Sequence, residues 1–296
     1  MKPLKGIFEN SATIWKVCQF LLLMLLTTSL ALGLWALCFH GSQSTDSLKV
    51  MQLLQTAGTF LLPCLCGAWL WSRQPLGWLH LDTPIGWKES LLVIVLMICA
   101  SPAINLLAWL NEQVTLPSFL SGLEEHLKQQ EEAAAALTER FIKAENIGTL
   151  FFNILLMALM PALSEEMCFR GTLQTLFSGN GRNKHISVWV CAILFSAIHF
   201  QFYGFIPRML MGALLGYMLL WSGSLWLPVL AHFTNNCMAV VLYNIYYMNG
   251  RNVDEIDAFG TGDTLWIGIV SIAVTGALIY LLRRSLTMSS ASSRIS

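Results

Sequence analysis

Long apolar stretches recur along this chain, each about as long as a helix that crosses a lipid bilayer. At ~1.5 Å per residue, ~20 apolar residues span the hydrocarbon core. A window of that length finds eight candidate spans: Trp15–Phe39, Met51–Trp71, Glu89–Leu110, Ile147–Phe169, Ile186–Phe205, Arg208–Trp221, Leu225–Met248 and Thr264–Leu282. The pattern predicts an all-α fold, a polytopic transmembrane helical bundle of about eight spans.

The composition agrees with this pattern. Of the 296 residues, 55% are hydrophobic and 11% are charged, whereas soluble domains carry about 25% charged residues. The chain is therefore expected to be an integral membrane protein in contact with the lipid bilayer. Its formal net charge is zero, so the charge gives no indication of a nucleic acid partner.

The distribution of Lys and Arg predicts the orientation. With the N-terminus in the cytoplasm, eleven of the 17 Lys and Arg residues fall on the inner side and six on the outer side, in line with the positive-inside rule. Both termini are therefore expected in the cytoplasm and the segment Ser118–Asn146 outside. The Ser-rich tail, Ser285–Ser296, is expected to be a solvated end.

The segment between the third and fourth spans differs from the rest. It reads SGLEEHLKQQEEAAAALTERFIKAEN, rich in Ala, Glu, Gln and Lys, and Ser121 and Glu124 have the spacing of a capping box. We expect an exposed helix outside the membrane, resting on the bilayer interface or on the bundle through Leu123, Leu127, Leu137 and Phe141. An ordinary amphipathic connector and a lid over the substrate path are both open readings.

The fourth span contains charged side chains, which are expensive in hydrocarbon. Its sequence ALSEEMCFRG carries Glu165, Glu166 and Arg170. A charge near the bilayer centre costs roughly 2.5–3.5 kcal/mol, so such groups usually face a partner or a watery cavity. Arg170 lies four residues after Glu166, on the same helix face, and is expected to pair with it and offset the cost of both charges.

Two later spans carry histidines. His199 follows Phe195 by four residues in FSAIHF, and Asn236 follows His232 by four residues in HFTNN. Positions i and i+4 share a helix face, so each helix presents a polar stripe. The depths of these stripes are comparable, which predicts that they meet in one functional cavity with the acids of the fourth span.

The three segments together resemble the signature of the CPBP intramembrane proteases, the CAAX protease and bacteriocin-processing family that is also called Abi. EEMCFR matches EExxxR, FSAIH matches FxxxH, and HFTNN matches HxxxN. The resemblance covers roughly Ile147–Met248. It implies an intramembrane endopeptidase of a bacterial cytoplasmic membrane, with a membrane-associated peptide or protein as substrate. The chain then divides into N-terminal helices with the connector (1–146), a catalytic core (147–248), and a last span with its tail (249–296).

Peptide hydrolysis assigns a role to each motif residue. It needs an activated water and donors that stabilise a tetrahedral oxyanion. We predict that Glu165 is the general base and that His199 helps it to hold the water. His232 and Asn236 are the predicted oxyanion donors.

The use of a metal is a separate question. Members of the family are commonly labelled metalloproteases, yet the HExxH motif is absent. Glu165, His199 and His232 are the three residues that would bind zinc, with a position left for water. Metal-free activation of the water by Glu165 and His199 is the favoured prediction, so no cofactor is assigned and zinc is the alternative.

Two other classes of function are open to the same residues. Buried acids and histidines relay protons in transporters, although no repeated halves or broken helices are visible here. A catalytically silent scaffold or immunity factor would tolerate loss of Glu165. The eight cysteines are scattered singly and are predicted to be small buried hydrophobes; a Cys168 nucleophile acting with His199 is disfavoured because buried thiols are usually inert.

Overall fold

The computed structural model describes residues 4–144, 146–179 and 181–292. All regular structure in these ranges is helical. Within the same ranges, six helical segments are long and apolar enough to cross a membrane. The predicted all-α membrane bundle is therefore confirmed, and eight spans is an approximate number.

The first half of the chain forms four long helices and a short one. They are α1 (Thr13–Phe39), α2 (Thr45–Trp71), the short α3 (Pro75–Trp78), α4 (Trp87–Glu112) and the connector helix α5 (Ser121–Ile142). The apolar side chains of α1 are mostly exposed, including Leu25, Leu30 and Leu37. An exposed apolar surface of this extent is typical of helices that face lipid.

The second half contains the predicted core and the last span. Its helices are α6 (Ile147–Ser178), α7 (Lys184–Ala197), α8 (Phe205–Ser222), α9 (Trp226–Met248), the short α10 (Asp254–Asp257) and α11 (Leu265–Ser292). The 23-residue α9 is not among those six segments, because its sequence interrupts the apolar run with His, Asn and Thr.

The fifth predicted span is shorter than expected. The sequence predicts a helix over Ile186–Phe205, but α7 ends at Ala197. The chain then turns through Phe200, whose φ of 52° lies in the left-handed region, and α8 begins at Phe205. With 14 residues, α7 is about 21 Å long and does not reach across a 30 Å hydrocarbon core.

The C-terminal helix is longer than expected. The predicted solvated tail begins at Ser285, but α11 continues to Ser292; residues 293–296 lie outside the described residues. Ser285 Oγ donates a hydrogen bond to Glu89 Oε1 over 2.7 Å, and Leu286 is buried. The expectation of a solvated end is therefore wrong for Ser285 and Leu286, which pack on the beginning of α4, whereas Thr287 and Met288 are exposed as expected.

The connector is a largely exposed helix, as predicted, but it has no capping box. A 3-10 turn over Ser118–Leu120 leads into α5, and the N-terminus has no side-chain cap. Glu124 instead accepts a hydrogen bond from the Tyr203 hydroxyl over 3.1 Å and lies 3.2 Å from Lys128 Nζ. At the other end of α5, Phe141 and Ile142 are buried. The connector helix is thus held firmly at its C-terminal end and by polar contacts at its N-terminal end.

Two apolar clusters surround the late helices. One packs α6 and α7 against α1 and α2, and its members include Phe20, Cys64, Trp71, Phe169 and Phe195. The other joins α4, α8, α9 and α11, through residues that include Leu96, Leu215, Leu227 and Leu282. The helices that carry the three motifs therefore lie between these clusters, inside the bundle.

The eight cysteines are free thiols in the structure. Cys64, Cys168 and Cys191 are buried, whereas Cys18, Cys38 and Cys66 are exposed on the outer surface of the bundle. The prediction of burial is therefore wrong for the latter group, which lies on apolar helices that face outward.

Candidate active site

Glu166 lies at the centre of a buried polar network. Its Oε1 accepts a hydrogen bond from Arg170 Nη1 and another from His232 Nδ1, each over 2.8 Å. Glu166 and Arg170 have no exposed surface. The predicted ion pair on α6 is therefore present, and it is extended to α9 by His232, a contact that the sequence did not predict.

Arg170 connects this network to two further helices. Its Nη2 donates to the Gly212 carbonyl of α8 over 2.9 Å, and its guanidinium lies 4.6 Å from the centre of the Phe195 ring of α7. A Cβ built at Gly212 would lie 3.2 Å from the Ala192 Cα and 3.3 Å from Arg170 Nη2. Gly212 and Gly216 form a GxxxG pair, the pattern that lets membrane helices approach closely. The GxxxG spacing was therefore the feature of the sequence that could have predicted the close approach of α8 to α7 and Arg170.

The backbone of α6 departs from regular α-helix next to the network. Met167–Gln174, which begins directly after Glu166, is a π-helical segment. Such wide turns occur frequently at functional sites. The segment includes Arg170, so this turn helps to direct its guanidinium towards α7 and α8.

A cavity of about 350 Å³ lies beside the network. This volume is at the lower end of the range for ligand pockets. The polar side chains that line it are Glu165 from α6, His199 from the turn after α7, Arg208 from α8, and His232, Asn235 and Asn236 from α9. Four of the six predicted site residues therefore line the same cavity. The other two, Glu166 and Arg170, are buried next to it.

Glu165 has a different environment from its neighbour Glu166. It is half-buried and lines the cavity, and its carboxylate makes no hydrogen bond within the described part of the chain. The two adjacent glutamates therefore point in different directions from α6. Glu166 is hydrogen-bonded in the interior, and Glu165 is available to a water molecule or a substrate.

His199 lies in the turn after α7 and not within a helix, so its predicted helical position is wrong. The predicted i to i+4 relationship with Phe195 nevertheless exists, because His199 Nδ1 lies 2.7 Å from the Phe195 carbonyl oxygen. A carbonyl only accepts hydrogen bonds, so Nδ1 carries the proton. In the neutral ring, Nε2 then has a free lone pair.

His232 is constrained in the same way. Its Nδ1 donates to the Glu166 carboxylate, which leaves Nε2 of the neutral ring as an acceptor. The predicted role of His232 as an oxyanion donor therefore requires its doubly protonated form. The Phe195 ring lies between the two imidazoles, with its centre 5.1 Å from that of His199 and 6.0 Å from that of His232.

The amide of Asn236 is oriented by its neighbour. Asn235 Nδ2 donates to Asn236 Oδ1 over 3.2 Å. The Asn236 Nδ2 group has no partner within the described residues, so its two N–H bonds are available to an acceptor in the cavity.

Arg208 was not predicted as a site residue. It lines the cavity, and its Nη2 donates to Gln201 Oε1. The signal was present in the sequence FIPRMLMG, because an arginine inside an apolar stretch calls for the same explanation as Arg170.

The predicted zinc alternative does not fit this arrangement. Among the described residues, no group of three or more His, Cys, Asp or Glu side chains is placed to hold a metal ion. Glu165, His199 and His232 line the cavity without being gathered as ligands. Cys168 belongs to the apolar cluster around Trp71 and does not line the cavity, so it is not placed to act as a nucleophile with His199.

Comparisons with known proteins identify the same part of the chain. Residues 147–238 match a family model described as Type II CAAX prenyl endopeptidase Rce1-like. The uncharacterized protein YpbD of Bacillus subtilis (strain 168) is 38% identical over 85 residues, which are 27% of this chain and 40% of that protein. The match therefore spans less than half of that relative, and no solved structure matches the chain significantly. The matched residues contain the EExxxR, FxxxH and HxxxN motifs, so the resemblance of this segment to CAAX-type proteases is confirmed.

Proposed function

We propose that this protein is an intramembrane endopeptidase that hydrolyses a peptide bond in a membrane-associated peptide or protein. The observation that carries the proposal is the pairing of Glu165 and His199 in one cavity. Glu165 has a carboxylate without a hydrogen-bond partner in the described residues, and His199 has Nδ1 held by the Phe195 carbonyl. No hydrogen bond joins the two side chains within the described residues, so one water molecule could donate one O–H to the Glu165 carboxylate and the other to His199 Nε2.

The proposed reaction is a water attack. The Glu165 carboxylate takes a proton from the water as its oxygen bonds to the substrate carbonyl carbon, and His199 Nε2 accepts the second O–H. The carbonyl electron pair moves to oxygen and forms the tetrahedral oxyanion, to which Asn236 Nδ2 donates. The proton on Glu165 then passes to the amide nitrogen as the C–N bond breaks, which releases an amine and a carboxylic acid.

Glu166, Arg170 and His232 are proposed to position the reacting groups. The carboxylate holds the His232 ring through Nδ1, as acidic residues orient histidines in other hydrolytic sites. Arg170 pairs with the same carboxylate in the interior, so the group that holds the His232 ring has a charge partner of its own. His232 adds an oxyanion donor when its ring is doubly protonated.

The orientation and location follow from the sequence and are proposed in the same way. Both termini lie in the cytoplasm of a bacterial cell, and the connector helix α5 lies on the outer side. The name CAAX prenyl endopeptidase describes the matched family, and the substrate of this chain need not be prenylated.

The decisive experiment compares membranes that contain the wild-type chain with membranes that contain Glu165→Gln. The amide is nearly isosteric with the acid but is a poor base, so we expect a membrane-associated peptide or protein to accumulate uncleaved. Glu139→Gln is the matched control, because Glu139 lies on the exposed face of α5. Equal peptide profiles for the wild type and Glu165→Gln would refute the protease and would favour a scaffold or a transporter.

A further inference from the structure

Arg208 is a half-buried cation without a complete set of partners. It lies in the first turn of α8, where Nη2 donates to Gln201. Its Nη1 is buried and has no hydrogen-bond partner within the described part of the chain. An unpaired buried donor of this kind is costly, and a cationic one more so.

The position of the guanidinium depends on a glycine. A Cβ built at Gly204 would lie 2.9 Å from Arg208 Nη2 and 3.4 Å from Nη1. Gly204 also lines the cavity. The acids whose charges act on Arg208 are Glu131 of the connector helix and Glu165, and neither forms an ion pair with it.

The cavity has few other donors for a developing negative charge. Neutral His199 and neutral His232 each use their single N–H on a protein acceptor. Asn236 Nδ2 is neutral, and a site that must stabilise an oxyanion commonly uses two or more donors. A cationic donor next to Asn236 would complete such a site.

We propose that Arg208 is a catalytic residue whose guanidinium donates to the oxyanion of the tetrahedral intermediate. This inference rests on the proposed function. In the resting site, Glu165 and Glu166 carry two negative charges and Arg170 and Arg208 carry two positive charges, while Glu131 of the connector helix adds a negative charge that also acts on Arg208. When the water proton passes to Glu165, that carboxylate becomes neutral and the negative charge moves to the substrate oxygen. The net charge of the site does not change. The anion near Arg208 is the Glu165 carboxylate before this step and the substrate oxygen after it.

The same count argues against Arg208 as a clamp for a carboxylate of the substrate. A bound carboxylate would add a negative charge while Glu165 is still ionised, and the two anions would repel each other. The charge balance therefore favours the oxyanion, and not a substrate carboxylate, as the group to which Arg208 donates.

The test uses the peptide that accumulates with Glu165→Gln, prepared as a free acid, as a C-terminal amide, and with a phosphinate in place of the scissile bond. The full-length protein in detergent is assayed as the wild type, Arg208→Gln, Arg208→Lys and the control Arg284→Gln, whose arginine is exposed. We expect Arg208→Gln to lower kcat by ~10²–10³-fold, with a change in KM of no more than a few-fold. The loss should be equal for the acid and the amide. Binding of the phosphinate, which carries a tetrahedral anion, should weaken by a similar factor, and Arg208→Lys should recover part of both.

The outcomes separate the two proposals. If no peptide is cleaved by the wild type, the proposed function fails and this inference fails with it. If the wild type cleaves the peptide and Arg208→Gln does so at the full rate, only the role of Arg208 is overturned. A defect confined to KM for the free acid would identify a carboxylate clamp and would also overturn the oxyanion assignment.

Discussion

His232 Nδ1 lies 2.8 Å from Glu166 Oε1, and the same carboxylate oxygen accepts a hydrogen bond from Arg170 Nη1. The buried carboxylate of Glu166 thus orients His232, which lines the cavity. Arg170 balances the negative charge of this carboxylate. A single oxygen couples the EExxxR motif to the HxxxN motif. Changes to this group are therefore expected to affect both folding and the placement of His232.

Removal of the arginine should destabilise the protein. Arg170→Ala leaves Glu166 buried without its cation, and we expect the free energy of unfolding to fall by about 3–5 kcal/mol, with loss of activity. Arg170→Lys should restore only part of it, because an ammonium cannot bond Glu166 and the Gly212 carbonyl as a planar fork does. Thermal unfolding in detergent measures the effect, with Arg284→Ala as control. Unchanged stability of Arg170→Ala would mean that the pair is not buried in the membrane.

A side chain at Gly212 should separate α8 from α7. Gly212→Val would place a branched side chain where even a Cβ lies 3.2 Å from the Ala192 backbone, and overpacking of this kind costs about 1–3 kcal/mol. Gly276→Val is the matched control on α11, since nothing lies within 4 Å of a Cβ at that glycine. Stability and peptide cleavage are measured for both variants. Equal effects would indicate that helix propensity, and not the contact with Arg170 and α7, causes the loss.

A methyl group at Gly204 should displace Arg208 without disturbing the fold. Gly204→Ala puts a Cβ 2.9 Å from Nη2, and a flexible side chain can yield to it. We therefore expect a lower kcat, an almost unchanged melting temperature, and no further loss when Arg208→Gln is added. Gly122→Ala on the connector helix meets nothing within 4 Å and serves as control. Additive losses in the double variant would contradict an action through Arg208.

Chelation should leave the rate unchanged if Glu165 and His199 activate the water directly. Purified protein is dialysed against a strong zinc chelator, its metal content is measured, and peptide cleavage is followed before and after zinc is restored. A metal-dependent zinc hydrolase is the positive control. A stoichiometric metal whose loss abolishes the activity and whose return restores it would assign Glu165, His199 and His232 as ligands instead.

Acid should loosen the N-terminal half of the connector helix. Hydrogen bonds from Lys128 and the Tyr203 hydroxyl lower the pKa of Glu124 below its ordinary value. A depressed folded pKa contributes stability above the unfolded pKa of ~4.3, and this contribution is lost as the pH falls through the folded value. Protection of the amides around residues 121–131, relative to their intrinsic exchange rate at each pH, should therefore be high near neutral pH and should fall below pH ~4.

Tyr203→Phe tests the same contact without changing a charge. It removes one donor to Glu124, so the loss of protection should begin at a higher pH. Tyr280→Phe is a control on the exposed surface of α11. An identical pH profile for Tyr203→Phe and the wild type would show that this hydroxyl does not hold the helix.

The sequence by itself determined the class of fold and the types of polar residue that line the cavity. Apolar runs of about 20 residues require helices in a bilayer, because every backbone polar group must be satisfied within its own segment. The spacing of Glu166 and Arg170 was sufficient to predict their ion pair, since i and i+4 positions meet on any helix. Local spacing also placed His232 and Asn236 on one stripe.

Only the tertiary structure decided which groups face one another. The contact of His232 with Glu166, and the approach of Arg170 to Gly212, join residues that are 66 and 42 positions apart. Such contacts depend on the packing of helices in space, which periodicity along one helix does not specify. The early end of α7 and the presence of Arg208 in the cavity follow from the turn between α7 and α8. His199, which was predicted on a helix, therefore lies in this turn. Arg208, which lies at the edge of a predicted span, lines the cavity for the same reason.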